Sequence, residues 1–308
     1  MTQVTASMVK ELRGATGVGM MDAKKALVEN NGDMDAAVDW LRTKGMAKAA
    51  KKAGRIAAEG LVAISTNDNG TTAAVVEINS ETDFVARNDI FQTFVRTVAG
   101  SALAVSNDTE LKAADMSGKS IEQALTDMIA KIGENMSLRR MEKLSVSNGV
   151  VASYMHNAVA DNLGKIGVLI ALESDGDKEK LQELGRQIAM HVAAVKPECL
   201  DQASVDPVAL ERERNVLIEQ ARESGKPDNI IEKMIDGRMR KYYEEICLMD
   251  QAFIMDNENK ISDVVANAAK ELGTAVELRG YVRYALGEGI EKEEVDFAAE
   301  VAATAATA

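Results

Sequence analysis

Side chains able to do covalent chemistry are few in this chain, and none stands at a spacing that would let it act. There are two histidines, His156 and His191, and neither lies at metal-ligand spacing with a cysteine or the other histidine. No G-x-x-x-x-G-K-[ST] run is present, which excludes a P-loop. Gly14, Gly17 and Gly19 are spaced loosely like a dinucleotide motif, but they follow a helical pattern and not a strand, so that reading is set aside. Cys199 and Cys247 are far apart in a cysteine-poor chain, the pattern of reduced thiols and not of a disulfide framework. The run Glu77-Ile78-Asn79-Ser80-Glu81-Thr82-Asp83-Phe84-Val85-Ala86-Arg87 is different. It begins as a buried strand, turns polar, and then sets a charge beside a large ring where a helix should start. A phenylalanine at such a corner is either a plug for the core or a probe for a partner. On general grounds of burial the plug is the commoner outcome for such a ring.

The histidines divide along the same line. His191 lies in the apolar stretch Ile188-Ala189-Met190-His191-Val192 and reads as a packed core residue. His156, in Tyr154-Met155-His156-Asn157, follows a strand at a polar corner similar to that at Asp83-Phe84, where partner contact and a bland surface role are both open.

The elements that must position these residues are soluble ones. The chain has 308 residues, enough for two or three domains, with 46% hydrophobic but only 4% aromatic content. Packing therefore falls to Ala, Val, Leu and 16 methionines, a residue that adapts to changing partners as well as filling core gaps. The net charge of −13 argues against nucleic acid as the main ligand. Residues 1–55 hold ten Lys and Arg against six Asp and Glu, a balance of +4 that leaves −17 on the remainder. The basic cluster Lys44, Lys48, Lys51, Lys52 and Arg55 reads as a solvated helix face in preference to a ribosome or RNA contact. No apolar run approaches the ~18 residues of a membrane span, and the first residues lack a signal-peptide pattern. The expectation is a soluble, cytoplasmic protein that needs no cofactor or metal and does not bind membranes.

Periodicity divides the chain into an α+β arrangement. Residues 1–55 form a three-helix domain: a stripe of Met8, Val9 and Leu12 behind Thr5, a helix over 20–31 stopped by Gly32, and a third capped by Asp33 with Met34, Ala37, Val38 and Leu41 on one face. A core N-subdomain spans 56–145, with strands over 60–65 and 72–78 around Asn67-Asp68-Asn69-Gly70, a helix over 88–102, a polar connection over 107–119, a helix over 121–132 and a strand over 136–144. The first part of a C-subdomain, 146–206, repeats the β-β-α plan with strands over 149–155 and 164–172 and a helix over 178–194, so two related subdomains are expected. Residues 207–245 read as a protruding helical hairpin whose narrow seam is Leu210, Val216, Leu217, Ile230, Ile231, Met234 and Met239. Residues 246–286 complete the C-subdomain with a strand over 277–286, and 287–308 form a short C-terminal module with a helix over 295–303.

Two segments carry a close resemblance to the bacterial elongation factor Ts family: Leu12-Arg13-Gly14-Ala15-Thr16-Gly17-Val18-Gly19-Met20-Met21-Asp22-Ala23-Lys24-Lys25-Ala26-Leu27, and the run from Glu77 to Arg87 with Thr-Asp-Phe-Val at its centre. Lys131-Ile132-Gly133-Glu134-Asn135, the stretch 188–194 and Gly287-Glu288-Gly289-Ile290-Glu291-Lys292 support it, so that the resemblance spans the chain. The resemblance implies a nucleotide-exchange factor, not an enzyme of covalent chemistry, whose partner is the GTPase elongation factor Tu. It implies an N-terminal domain resembling a ubiquitin-associated domain, in which Arg13, Met20, Met21 and Lys24 meet the GTPase near its guanine site. Thr82, Asp83, Phe84 and Val85 are then the probe that enters near the Mg²⁺ site, His156 lies at the partner-facing side of the core, and Ile254 and Met255 belong to a further apolar contact segment, Phe253-Ile254-Met255. Asn157–Leu163 is longer than the resemblance leads one to expect, and the hairpin corresponds to a coiled-coil module that can mediate self-association. The competing class is an adaptor, in which the three-helix module and the coiled coil only tether proteins.

Overall fold

The computed structural model describes residues 4–16, 18–223 and 227–291. The helix expected over 295–303 lies outside them.

The N-terminal region is helical, with α1 (Ala6–Thr16), α2 (Met20–Glu29) and α3 (Met34–Ala50). Asp33 caps α3 by accepting from the Ala36 amide at 2.9 Å. Val9, Leu12, Ala23, Ala26, Leu27 and Ala37 form its core, with Trp40 and Leu41 packed alongside. Val38, expected in the stripe, faces outward, and Trp40 fills that side instead.

After Ile56, strands β1 (Glu59–Thr66) and β2 (Thr72–Ser80) form a hairpin. The Asn67 side chain accepts from the Thr71 and Thr72 amides, each at 3.0 Å, and holds the turn that the Asn-Asp-Asn-Gly signal predicts. There follow α4 (Asp83–Ala86), α5 (Asp89–Ala102), α6 (Asp108–Ala113), α7 (Ile121–Ile132) and β3 (Met136–Ser145). α6 falls in the stretch expected to be a polar connection. Asn107 caps it, and only Leu111 among its residues is buried, too little apolar periodicity to read.

The second half comprises β4 (Gly149–Ala160), β5 (Leu163–Ser174), α8 (Lys178–Val195), the hairpin α9 (Pro207–Arg222) and α10 (Asp228–Ile246), α11 (Ile261–Leu272) and β6 (Val276–Ala285). All six strands join one antiparallel sheet in the order β3-β2-β1-β5-β4, with β6 also pairing to β5. The two expected β-β-α units are thus halves of a single curled sheet, joined where Val62 and Ala63 of β1 meet Gly164 and Leu163 of β5. The inner faces bury Val62, Ile64 and Val75 against Val151, Leu169 and Ala171. On the outer faces, α5 and α7 cover the first half with Phe91, Phe94, Val95 and Met128, and α8 and α11 cover the second with Leu181, Ile188, Val192 and Val265. At Gly185 of α8 a Cβ would come 2.4 Å from the Ala152 Cβ, so this glycine sets how closely helix and sheet approach.

α3 also packs on α7. Gly45 faces Ala130, and the Lys52 ammonium donates to the Gly133 carbonyl. The hairpin seam differs from the expected one. Ala221, Ile231 and Ile235 are buried with Ile218 and Met239 beside them, whereas Val216 and Ile230 face outward. Among the described residues no helix is long and apolar enough to cross a membrane.

Candidate functional site

The sheet delivers the chain to the Asp83-Phe84 corner through a strand end that is fastened from several sides. Glu77, fully buried on β2, receives Arg139 at 2.9 Å, Arg140 at 2.6 Å, the Asn79 amide at 3.0 Å and the Gly287 backbone N–H at 2.8 Å. Burial on its own would raise its pKa, but these hydrogen bonds outweigh it and hold the carboxyl below the usual range. Arg140 also lies 4.1 Å from the centre of the Tyr284 ring and donates to the Ala285 carbonyl. Gly287 takes φ +70°, and a Cβ there would sit 2.4 Å from the Ala58 carbonyl oxygen, so the turn after β6 presses directly on the lead-in to β1.

Beyond Ser80, Glu134 controls the corner. Its carboxylate accepts from the Thr82 hydroxyl at 2.7 Å and from the Thr82 amide at 2.9 Å, while the Ser80 hydroxyl donates to the Thr82 carbonyl at 2.9 Å. Glu81 accepts from the Asn135 amide and pairs with Arg55 at 3.5 Å. α4 is one turn long, so its side chains point to all sides: Val85 and Ala86 pack into the core, while Asp83 and Phe84 face outward. Gln92 donates to the Ala86 carbonyl at 3.0 Å, and Asn88 caps α5 at once afterwards. The result is a ring 77% exposed on a short helix tied down at both ends.

A single exposed hydrophobe is ordinary. Phe84 stands out because the described phenylalanines Phe91, Phe94 and Phe253 are all at most 5% exposed, and because nothing about its mount is loose. Of the four residues expected to form a probe, Phe84 and Asp83 face outward, Thr82 is held by Glu134, and Val85, at 4% exposure, lies in the core. Val85 cannot reach a partner without unpacking. Glu134 is the residue that sequence reasoning missed. Its run follows the left-handed Gly133 that ends α7, but its partner is 52 residues away in sequence. Glu134→Ala is expected to speed amide hydrogen exchange at Thr82 and through α4 by more than tenfold with the rest of the sheet unchanged. Exchange that stays slow there would remove Glu134 as the anchor.

The other candidates lie on separate elements. Met20 and Met21 open α2 at 52% and 76% exposure, with Lys24 exposed one turn on and Arg13 exposed near the end of α1. His156 is not at a corner. It lies within β4, opposite Ile166, exposed, with its Nδ1 3.1 Å from the Tyr154 hydroxyl. The long Asn157–Leu163 segment is a continuation of β4 to Ala160 with an irregular register and a left-handed Asn157, closed by a turn at Asp161-Asn162. In the third segment Phe253 is core, packed beside His191. His191 is fully buried, its pKa lowered by burial against a smaller opposing effect of Gln251. Its Nε2 lies 2.9 Å from the Gln251 amide oxygen, and its Nδ1 accepts from the Ile254 amide at 3.3 Å. That ring therefore fixes the loop which leaves Ile254 half-buried and Met255 exposed beside α8. Among the described residues no group of three or more His, Cys, Asp or Glu is placed to hold a metal ion.

A family model described as Elongation factor TS matches residues 81–288, from the fastened corner to the turn that holds Glu77. The chain belongs to the elongation factor Ts family. It is similar to Elongation factor Ts of Paramagnetospirillum magneticum, 62% identical over 310 residues that cover 100% of this chain and 99% of the relative. It is similar also to those of Rhodospirillum centenum and Rhizobium etli, each 58% identical over at least 98% of this chain and 99% of the relative. The elongation factor Ts family places the chain in protein biosynthesis, at translation elongation.

Proposed function

We propose that this chain is a guanine-nucleotide exchange factor for elongation factor Tu, and that it acts by inserting Phe84 beside the Mg²⁺ site of the GTPase. The observation that carries the reading is the exposed Phe84 ring on a mount fixed by Glu134 and by the cap of α5. A rigid projecting ring loses little freedom on docking, which is what a wedge requires.

The energies set what such a wedge can do. A nanomolar nucleotide complex is held by about 12 kcal/mol. Burying one phenylalanine returns about 1.5–3 kcal/mol. Phe84 therefore does not outbid the nucleotide. It displaces an element that positions a Mg²⁺ ligand or its water, and because Mg²⁺ demands near-ideal octahedral geometry while it neutralises phosphate charge, a small shift loosens much of the grip. Met20 and Met21, flexible and exposed on α2, act at the base side, so the nucleotide is disturbed at both ends. Binding of the factor and of nucleotide then oppose each other equally, by linkage. No covalent step enters.

The test is release of a fluorescent GDP analogue from elongation factor Tu, followed by stopped flow with and without this chain. Acceleration that weakens as Mg²⁺ is raised is expected. An unchanged release rate, with the two proteins still binding, would leave the chain an adaptor.

A further inference from the structure

The structure brings together two groups that the function above does not use. The chain leaves α8 through Pro197, Glu198 and Cys199, enters the hairpin at Pro207, and returns from Ile246 into Cys247 and Leu248. These two passages lie side by side at the stem. The Glu198 and Cys199 amides donate to the Ile246 carbonyl at 2.8 and 3.2 Å, and the Leu248 and Met249 amides donate back to Cys199 and Leu200, each at 2.9 Å. Cys199 and Cys247 face each other across this short parallel bridge as free thiols, with their sulfurs 3.4 Å apart. The stem is docked on the sheet domain by the fully buried Leu248 and by the Tyr281 hydroxyl, which donates to the Pro197 carbonyl at 2.7 Å.

We propose that Cys199 and Cys247 are an oxidation site, and that their disulfide locks together the two chain passages that form the stem of the helical hairpin. Neighbouring paired strands are about 4.8 Å apart, inside the roughly 4.4–6.8 Å between α-carbons that a disulfide spans, so the bond needs the sulfurs to approach and the backbone to stay. The oxidant is a peroxide or a small-molecule disulfide. With a peroxide, the half-buried Cys199 meets it first: its sulfur takes one oxygen as a sulfenic acid, the thiol proton passes to the other oxygen, and that oxygen leaves as water. The Cys247 sulfur then attacks the Cys199 sulfur, the S–S bond forms and a second water departs. Two thiols lose two electrons, and one peroxide becomes two waters.

The surroundings suit a durable bond. Burial pushes both thiols up, Cys247 to about 12, with Asp201, Glu198 and Asp250 adding to the shift at Cys199, and Asp250 and Asp201 adding at Cys247. Thiolates are disfavoured there, so the reduced pair gains nothing from ionisation and the disulfide has a poor leaving group when a reductant attacks. The bond also closes the chain around the whole hairpin, so opening the stem would require moving both passages together.

The test uses the full-length protein treated with hydrogen peroxide, and in parallel with oxidised glutathione. Both thiols are expected to disappear together, a cross-linked peptide pair holding Cys199 and Cys247 to appear in a non-reducing digest, and exchange of the Leu248 and Met249 amides to slow at least tenfold. Cys247→Ser should leave a sulfenic acid on Cys199 that a dione reagent traps, and Cys199→Ser should leave a thiol that resists both oxidants. Three results would overturn the proposal: a stable glutathione adduct on Cys199 with Cys247 still free, loss of the two thiols at independent rates without a cross-linked peptide, or a disulfide that leaves exchange at the stem unchanged.

Discussion

If the proposed exchange activity holds, Phe84→Ala is expected to slow catalysed release of GDP from elongation factor Tu by about 10- to 150-fold, the rate equivalent of the ~1.5–3 kcal/mol that burying the ring supplies. The same substitution leaves the isolated protein as stable as before, because the ring is already in water and the core below it belongs to Val85 and Ala86. Stopped-flow release measured beside a thermal melt separates the two effects. A variant that melts normally and still exchanges at the original rate means the ring is not the wedge. Val85→Ala is the informative contrast. It removes a buried side chain, so its first cost falls on stability, at roughly 1–3 kcal/mol, and only then on exchange.

Glu77→Gln is expected to destabilise the fold by about 3 kcal/mol, since Arg139 and Arg140 lose the charge they converge on while Gly287 and Asn79 keep at best a neutral acceptor. Both arginines remain partly in water and can rehydrate, which keeps the loss at the low end for a broken buried pair. Chemical denaturation at neutral pH reads the difference, and a loss under ~0.5 kcal/mol would mean that the cluster contributes little. The pH dependence gives a second check with a definite sign. The folded-state pKa of Glu77 lies below its unfolded value, so its contribution is complete above the ordinary carboxylate range and is lost as pH falls through the folded-state value. The gap between Glu77→Gln and the unmutated protein should therefore be widest near neutrality and close in acid.

Much of the architecture is written in short-range order. The continuous apolar run of β2, the Asn67–Gly70 turn, the Asp33 cap and the apolar stripe of α5 each depend on neighbours no more than about four residues away, and each appears where its pattern places it. α6 lacked such a signal, because only Leu111 among its residues is buried, whereas α11 carries a legible apolar stripe of Ile261, Val264, Val265 and Leu272. The hairpin at 207–245 was legible as two helices, but not in its seam: periodicity alone does not say which of two adjacent apolar stripes will face the partner helix, and Ile218, Ala221 and Ile235 took the place of Val216 and Ile230.

The candidate site divides in the same way. That a polar corner would present Asp83 and Phe84 at a helix start was readable in eleven consecutive residues, as was the choice between core plug and surface probe. Only the tertiary structure rules out the plug, by turning Phe84 outward and Val85 inward on a single helical turn. The grip of Glu134 on Thr82, the closure of Gly287 on Glu77 and the meeting of Cys199 with Cys247 join residues 52, 210 and 48 positions apart. Local sequence determines which way a segment can bend and which face it must bury. Which distant segment it meets is set by the packing of the whole sheet, because that choice costs chain entropy that only many simultaneous contacts repay.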